Sequence, residues 1–252
     1  GKHVFLTKPI GTTLAEVKKL VKTVDETGMK FLASYGHGPM GETIKRIYDS
    51  GEIGEAFFVE GSYVHDQYEY LHLGGKYFTP WRLDKEHPRN YLIADGTHPL
   101  CELMRVLGED VDEAFGYSSH RAEPAIPSDD FHIMIFKFKG GCIGKIVVTI
   151  GCKGDGMGEG SCNVYGTKGT IYKGKIFFHN QEPRDIKLEE ETLEVRGHPF
   201  SIEMKMLVRS ILNDEELTCP HDVKSAAKII SALWSGVQSA KLHRPVKVFN
   251  EF

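Results

Sequence analysis

Residues 3–6 form a short apolar run that ends in Thr7-Lys8-Pro9, where proline removes a ladder donor and stops the strand. Thr13, with Glu16 three positions on, makes a capping-box pattern. Leu14, Val17, Val21 and Val24 then recur at helical spacing up to Gly28, a natural helix-stopping glycine. Residues 30–34 read as a second apolar strand. Strand, helix and strand in this order predict a parallel pair with a right-handed crossover, the end of a larger parallel sheet.

The periodicity then changes. Residues 41–50 read as a helix and 56–64 as a strand, followed by a polar and aromatic loop holding Tyr63, His65, Tyr68, Tyr70, His72, Tyr77 and Trp81. Leu100, Leu103, Met104 and Leu107 mark one face of a helix closed by Gly108, with Pro99 at its first position and His98 as its expected N-cap. Strand-like runs at 131–138, 143–150, 162–165 and 170–172 are separated by Gly-rich turns, the pattern of an antiparallel sheet. Two helices close the chain, one lined by Phe200, Met204, Leu207, Val208 and Ile211, the other by Val223, Ile230, Leu233, Trp234 and Val237. The expected class is therefore α/β (α+β): the end of a parallel sheet over 1–35, then an open, mainly antiparallel sheet with helices on one face over 36–252.

Composition narrows the function without naming it. With 31 basic and 35 acidic residues in 252, the chain carries a formal charge of −4 and no basic run, so no nucleic-acid partner is expected. No apolar stretch approaches the roughly 18 residues of a membrane helix, and no secretory leader is read at the start. The five cysteines (Cys101, Cys142, Cys152, Cys162 and Cys219) are scattered, odd in number and form no C-x-x-C pair. They fit free thiols in a reducing cytoplasm better than a disulfide framework or a zinc site. His65, Asp66, His72 and His98 fit no compact metal-ligand spacing, so no metal is expected.

Six segments in order carry a resemblance: GKHVFLTKP at 1–9, IYDSGEIGE at 47–55, Trp81-Arg82, DGTH at 95–98, VYGTKGT at 164–170 and SAKLHRPV at 239–246. Together they resemble the Gfo/Idh/MocA oxidoreductases, the relatives of glucose–fructose oxidoreductase and inositol dehydrogenase. The resemblance implies a two-domain enzyme using NAD or NADP, with a Rossmann domain and a substrate domain whose sheet also forms a homodimer or homotetramer interface. The implied substrate is a sugar, a polyol or a derivative of one. No G-x-G-x-x-G opens a βα unit; the nearest string, 154–160, lies among the antiparallel strands, so residues 1–35 are read as a remnant of the dinucleotide-binding domain.

The resemblance also assigns residues. Lys8 falls in the family's E-K-P position, where it would polarise the reacting oxygen and, with Pro9, meet the nicotinamide; Thr7 stands in place of the glutamate. His98 matches the family's histidine, and an imidazole titrating near neutrality suits general acid–base work. The aspartate expected four residues before it is Ala94, with Asp95 one place along as its substitute; Cys101 stands where a second aspartate is frequent. Pro88-Arg89-Asn90 replaces the family's glycine triplet. Trp81, Arg82, Tyr68 and Asn90 are the expected substrate contacts. Three functions fit: hydride transfer at a CH–OH carbon, a redox-assisted glycosidase or lyase, and a non-catalytic substrate-binding or oligomerising module.

Overall fold

The computed structural model describes residues 1–35, 39–154, 161–188, 200–217 and 220–252. Strand β1 (Val4–Thr7) pairs in parallel with β2 (Phe31–Ser34), in register Val4 to Phe31. Helix α1 (Leu14–Thr27) crosses between them. Its capping box is complete: the Glu16 amide donates to the Thr13 hydroxyl while the Glu16 carboxylate accepts from the Thr13 amide. Gly28 ends the helix at φ +62°, a left-handed conformation that glycine adopts without steric cost.

Helix α2 (Pro39–Asp49) leads to strand β3 (Ala56–Val64). The short α3 (Tyr68–Leu71), a 3₁₀ turn (Pro80–Leu83), α4 (Tyr91–Asp95) and α5 (Thr97–Leu107) follow. Strands β4 (Val111–Ser119), β5 (Phe131–Phe138), β6 (Ile143–Thr149), β7 (Ser161–Gly166), β8 (Thr170–Tyr172), β9 (Lys175–Phe177) and β10 (Arg184–Asp185) come next. Helices α6 (Phe200–Asn213) and α7 (Val223–Leu242) and strand β11 (Val246–Lys247) complete the described elements. The nine-stranded sheet runs β10-β9-β8-β7-β3-β6-β5-β4-β11.

The expected fold class holds, with one refinement. The β3 and β6 strands are parallel, Phe58 opposite Ile143, because β3 reaches β6 only after the chain has passed through α4, α5, β4 and β5. Every other pairing in this sheet is antiparallel. Helices α5 and α7 cover one face, and their buried Leu100, Leu103, Val106, Ile229, Ile230 and Leu233 meet Val59, Met134, Phe136, Ile146 and Val148 of the strands. Residues alternate along β5 between the buried His132, Met134, Phe136 and Phe138 and the outward Phe131, Ile133, Ile135 and Lys137.

Close packing shows at Gly116 on β4, where an added Cβ would lie 2.2 Å from the Ile133 carbonyl oxygen and 2.5 Å from the Met134 sulfur. Gly116→Ala is expected to destabilise the domain by about 1–3 kcal/mol, as overpacking of a filled interior does. The shift of the denaturant midpoint measures it.

Two expectations are corrected. His98 does not cap α5, which begins at Thr97 after Gly96; Gly96 is itself right-handed helical, so α4 runs almost directly into α5 and His98 lies within the first turn. The apolar stripe of α6 is only in part its packing face. Leu207 of that stripe is buried, but Met204, Val208 and Ile211 are exposed and Glu203 and Ser210 are buried instead, because Glu203 accepts from the Ser34 hydroxyl and the Tyr35 amide. Cys101, Cys142 and Cys162 are buried and Cys152 is partly exposed, none of them in a disulfide; Cys219 and residues 155–160 lie outside the described residues. Among the described residues no helix is long and apolar enough to cross a membrane.

Candidate active site

The parallel pair delivers Lys8 to the site. It follows β1 directly, and its backbone amide donates to the Ser34 carbonyl at 3.0 Å, extending the ladder by one residue. Its amine is then held twice: it donates to the Ala94 carbonyl at 2.8 Å and to Asp95 Oδ1 at 3.1 Å. The acceptors come from α4, a helix buried along its whole length and capped by the Asn90 side chain, which accepts from the Ile93 amide at 3.0 Å. Helix burial thus places a carboxylate inside the protein, where only paired charges are tolerated.

Asp95 is paired on several sides. Arg89 Nη2 donates to the same Oδ1 at 2.9 Å, and the Gln67 amide donates to Oδ2 at 3.4 Å. Burial by itself would raise the Asp95 pKa, but the charges of Lys8 and Arg89 outweigh it and hold the carboxyl below the usual aspartate range. Lys8 moves down as well: burial lowers its proton affinity, the charges of Arg89 and Arg82 add to that, and Asp95 opposes it. The result is an amine that releases its proton more readily than a surface lysine.

An aromatic column flanks this cluster. The His98 ring stacks on Tyr63 with centroids 5.3 Å apart, Tyr63 stacks on His65 at 5.6 Å, and the Lys8 amine lies 5.9 Å from the Tyr63 centroid. Beside it opens a cavity of about 840 Å³ lined by residues that include Lys8, Pro9, Trp81, Arg82, Arg89, Asn90 and Trp234. The Arg82 guanidinium sits 4.8 Å from the Trp81 ring and 5.1 Å from Tyr70, and its Nε donates to the Thr79 hydroxyl at 2.8 Å.

The structure therefore gathers Lys8, Pro9, Trp81, Arg82 and Asn90 around one cleft, with Asp95 buried against Lys8; His98 is not among the lining residues and reaches this cluster through Tyr63. Tyr68 does not join them. The Asp66 carboxylate accepts the Tyr68 amide at 2.9 Å to start α3, and the Tyr68 ring stacks on His72 at 4.1 Å, half exposed and outside the cavity lining. Asn90 lines the cavity, but its amide oxygen is committed to capping α4. Arg89, Gln67 and Trp234 enter from segments with no local motif; for Arg89 the signal was an arginine where the family has glycine. Among the described residues no group of three or more His, Cys, Asp or Glu side chains is placed to hold a metal ion.

A parallel pair carrying a lysine to a buried carboxylate, beside a mostly antiparallel sheet backed by helices, defines a mixed α/β domain. The chain belongs to the GFO/IDH/MocA family, whose C-terminal domain model matches residues 42–172. Among curated relatives, an alpha-N-acetylgalactosaminidase of Bacteroides fragilis is 29% identical over 113 residues, a match covering 42% of this chain and 27% of that protein. Two crystal structures share the fold. An oxidoreductase from Agrobacterium radiobacter, in complex with NAD+, L-tartaric acid and magnesium, has a TM-score of 0.75 at 19% identity, covering 96% of this chain and 71% of its own. An aldose-aldose oxidoreductase from Caulobacter crescentus, complexed with glycerol, has a TM-score of 0.77 at 16% identity, covering 98% and 72%.

Proposed function

We propose that the chain is the catalytic and substrate-binding part of an NAD(P)-dependent oxidoreductase acting at a CH–OH carbon of a sugar or polyol. One observation carries this reading: the Lys8 amine is fixed between the Ala94 carbonyl and Asp95 on the wall of the cavity, near the Tyr63 ring on which His98 stacks. Lys8 donates to the carbinol or carbonyl oxygen and stabilises charge there. His98 takes or returns the hydroxyl proton. Asp95 holds Lys8 in place and balances its charge, and Trp81 and Arg82 position the hydroxylated carbon chain.

The lining fits one end of a dinucleotide. Pro9 and Trp81 offer apolar faces, while Lys8 and Arg82 offer donors; a glycine-rich phosphate turn opening a βα unit is not present in the sequence. When bound, the nicotinamide supplies the two-electron acceptor or donor. On this reading residues 1–35 belong to a dinucleotide-binding domain and 36–252 to the substrate domain, and the free thiols suit a reducing cytoplasm.

A second reading, redox-assisted glycoside cleavage, is favoured by the Bacteroides fragilis relative. The two separate in one experiment on the native protein, supplied with NAD+, polyols and a nitrophenyl α-N-acetylgalactosaminide. Reduced nicotinamide accumulating in step with oxidised polyol supports the dehydrogenase. Nitrophenol release without that accumulation supports the glycosidase, and neither signal overturns both.

The uncovered sheet face is the proposed contact with a second copy. Tyr117, Phe131, Ile135 and Ile143 are exposed on it, large apolar side chains of the kind that mark an interface, with Lys137 and Lys145 between them. Ile135→Glu places one carboxylate per protomer in the contact on association. It is expected to weaken the dimer at least about 100-fold in sedimentation; an unchanged association constant removes this face from the interface.

A further inference from the structure

Among the described residues the cavity beside Lys8 is lined by Lys8, Arg82, Arg89 and Lys241 and by no carboxylate. Glu16 accepts from the lining Thr12, Asp84 pairs with the lining His87, and Asp95 is buried and already engaged by Lys8 and Arg89. A concave surface of one charge with low-dielectric walls concentrates ions of the opposite sign.

Arg89 is the singular member. Its guanidinium lies 5.6 Å from the Trp81 ring and 5.1 Å from the Tyr91 ring, and its side chain is only 16% exposed. Nη2 meets Asp95, yet Nε is buried without a hydrogen-bond partner. A desolvated donor left unmade is costly, and a guanidinium fork is matched best by a carboxylate or phosphate taken side-on. Arg82, on the other contact of the Trp81 ring, supplies a second guanidinium held by Thr79 and Tyr70. Lys8 and Arg89 share one oxygen of Asp95, so the free donor of Arg89 belongs to the reacting centre itself and not to a remote part of the cleft.

We propose that Arg89, with Arg82, binds an anionic group on the substrate, so that the protein acts on a sugar acid, a polyhydroxy carboxylate, in preference to a neutral sugar or polyol. This rests on the redox reading of the cleft and narrows it. An anion held there lies next to the hydroxyl that Lys8 polarises, so the charged group fixes which carbon faces the acid–base pair. The same cations could meet the phosphates of a dinucleotide, which is the other source of an anionic oxygen.

Calorimetric titration of the native protein with D-gluconate, D-glucitol, inorganic pyrophosphate and NAD+ distinguishes the sources. Gluconate is expected to bind at least tenfold more tightly than glucitol. Arg89→Met is expected to erase that difference while changing NAD+ affinity less than twofold, and Arg89→Lys, which keeps a cation beside Asp95 should the methionine variant fail to fold, to lose most of it. Equal binding of gluconate and glucitol overturns the proposal. So does displacement of gluconate by pyrophosphate together with a loss of NAD+ affinity in the Arg89 variants, which gives these cations to the cofactor. Neutral polyols oxidised as fast as sugar acids sink this inference and leave the redox reading standing. Absence of any CH–OH oxidation sinks that reading, while the gluconate preference is still decided by binding.

Discussion

Asp95→Asn is expected to lower stability by about 3–5 kcal/mol, the range for removing one partner of a buried ion pair. The side chain is 2% exposed and its two cationic partners 18% and 16%, so solvent screens little of the loss. Asparagine preserves the volume but leaves Lys8 and Arg89 as like charges around a neutral amide. For a domain of this size that corresponds to a fall in melting temperature on the order of 6–20 °C. Pairing Asp95→Asn with Lys8→Met removes one of the stranded charges, so the double variant should be more stable than the two separate losses predict. The pH dependence has a fixed sign. The folded pKa of Asp95 lies below the ordinary value, so its contribution is complete above about pH 4 and is lost as acid takes the pH down through the folded value. Asp95→Asn should flatten that acid limb in thermal scans; a variant as stable as the parent would refute the pairing.

Lys8→Met is expected to cut kcat/KM by about 10²–10³-fold, the usual cost of removing one donor aimed at a developing oxyanion. The stem keeps its packing, and Asp95 keeps Arg89 as a partner, so the fold should survive. Because burial brings the Lys8 pKa below that of a surface lysine, the alkaline limb of the parent's pH profile should fall early and disappear in the variant. Stability moves the other way with pH: folding weakens proton binding at this amine, so the parent gains stability as pH rises between the folded pKa and the ordinary value of about 10.4. A Lys8→Met protein with undiminished turnover would place the chemistry elsewhere.

Local signals were legible and distant ones were not. The Thr13–Glu16 box, the stop at Gly28 and the β5 alternation are encoded within a few residues, so reading the chain recovers them. Lys8 and Asp95 stood out by motif, yet their mutual contact spans 87 positions and needs the fold. Tyr63 read both as the end of a strand and as part of the loop after it; it lies one residue before the end of β3, where its ring stacks on His98. Gln67 carries no motif and reaches Asp95 only because the chain turns back after β3. His98 looked like a cap since Pro99 favours early helical positions, but Gly96 carries the helical path through from α4. The α6 stripe misled because a buried glutamate, bonded to Ser34 and Tyr35, fixed which side turns inward.

Helix α7 ties the cleft to the rest of the molecule. It packs against α1, β2, α4 and β4, and it contributes Trp234, Val237, Gln238 and Lys241 to the cavity wall. Eleven of its residues are buried, so parting the walls would strip apolar surface from both neighbours at once. The cleft therefore has a closely packed back, while Trp81 in its lining is 56% exposed.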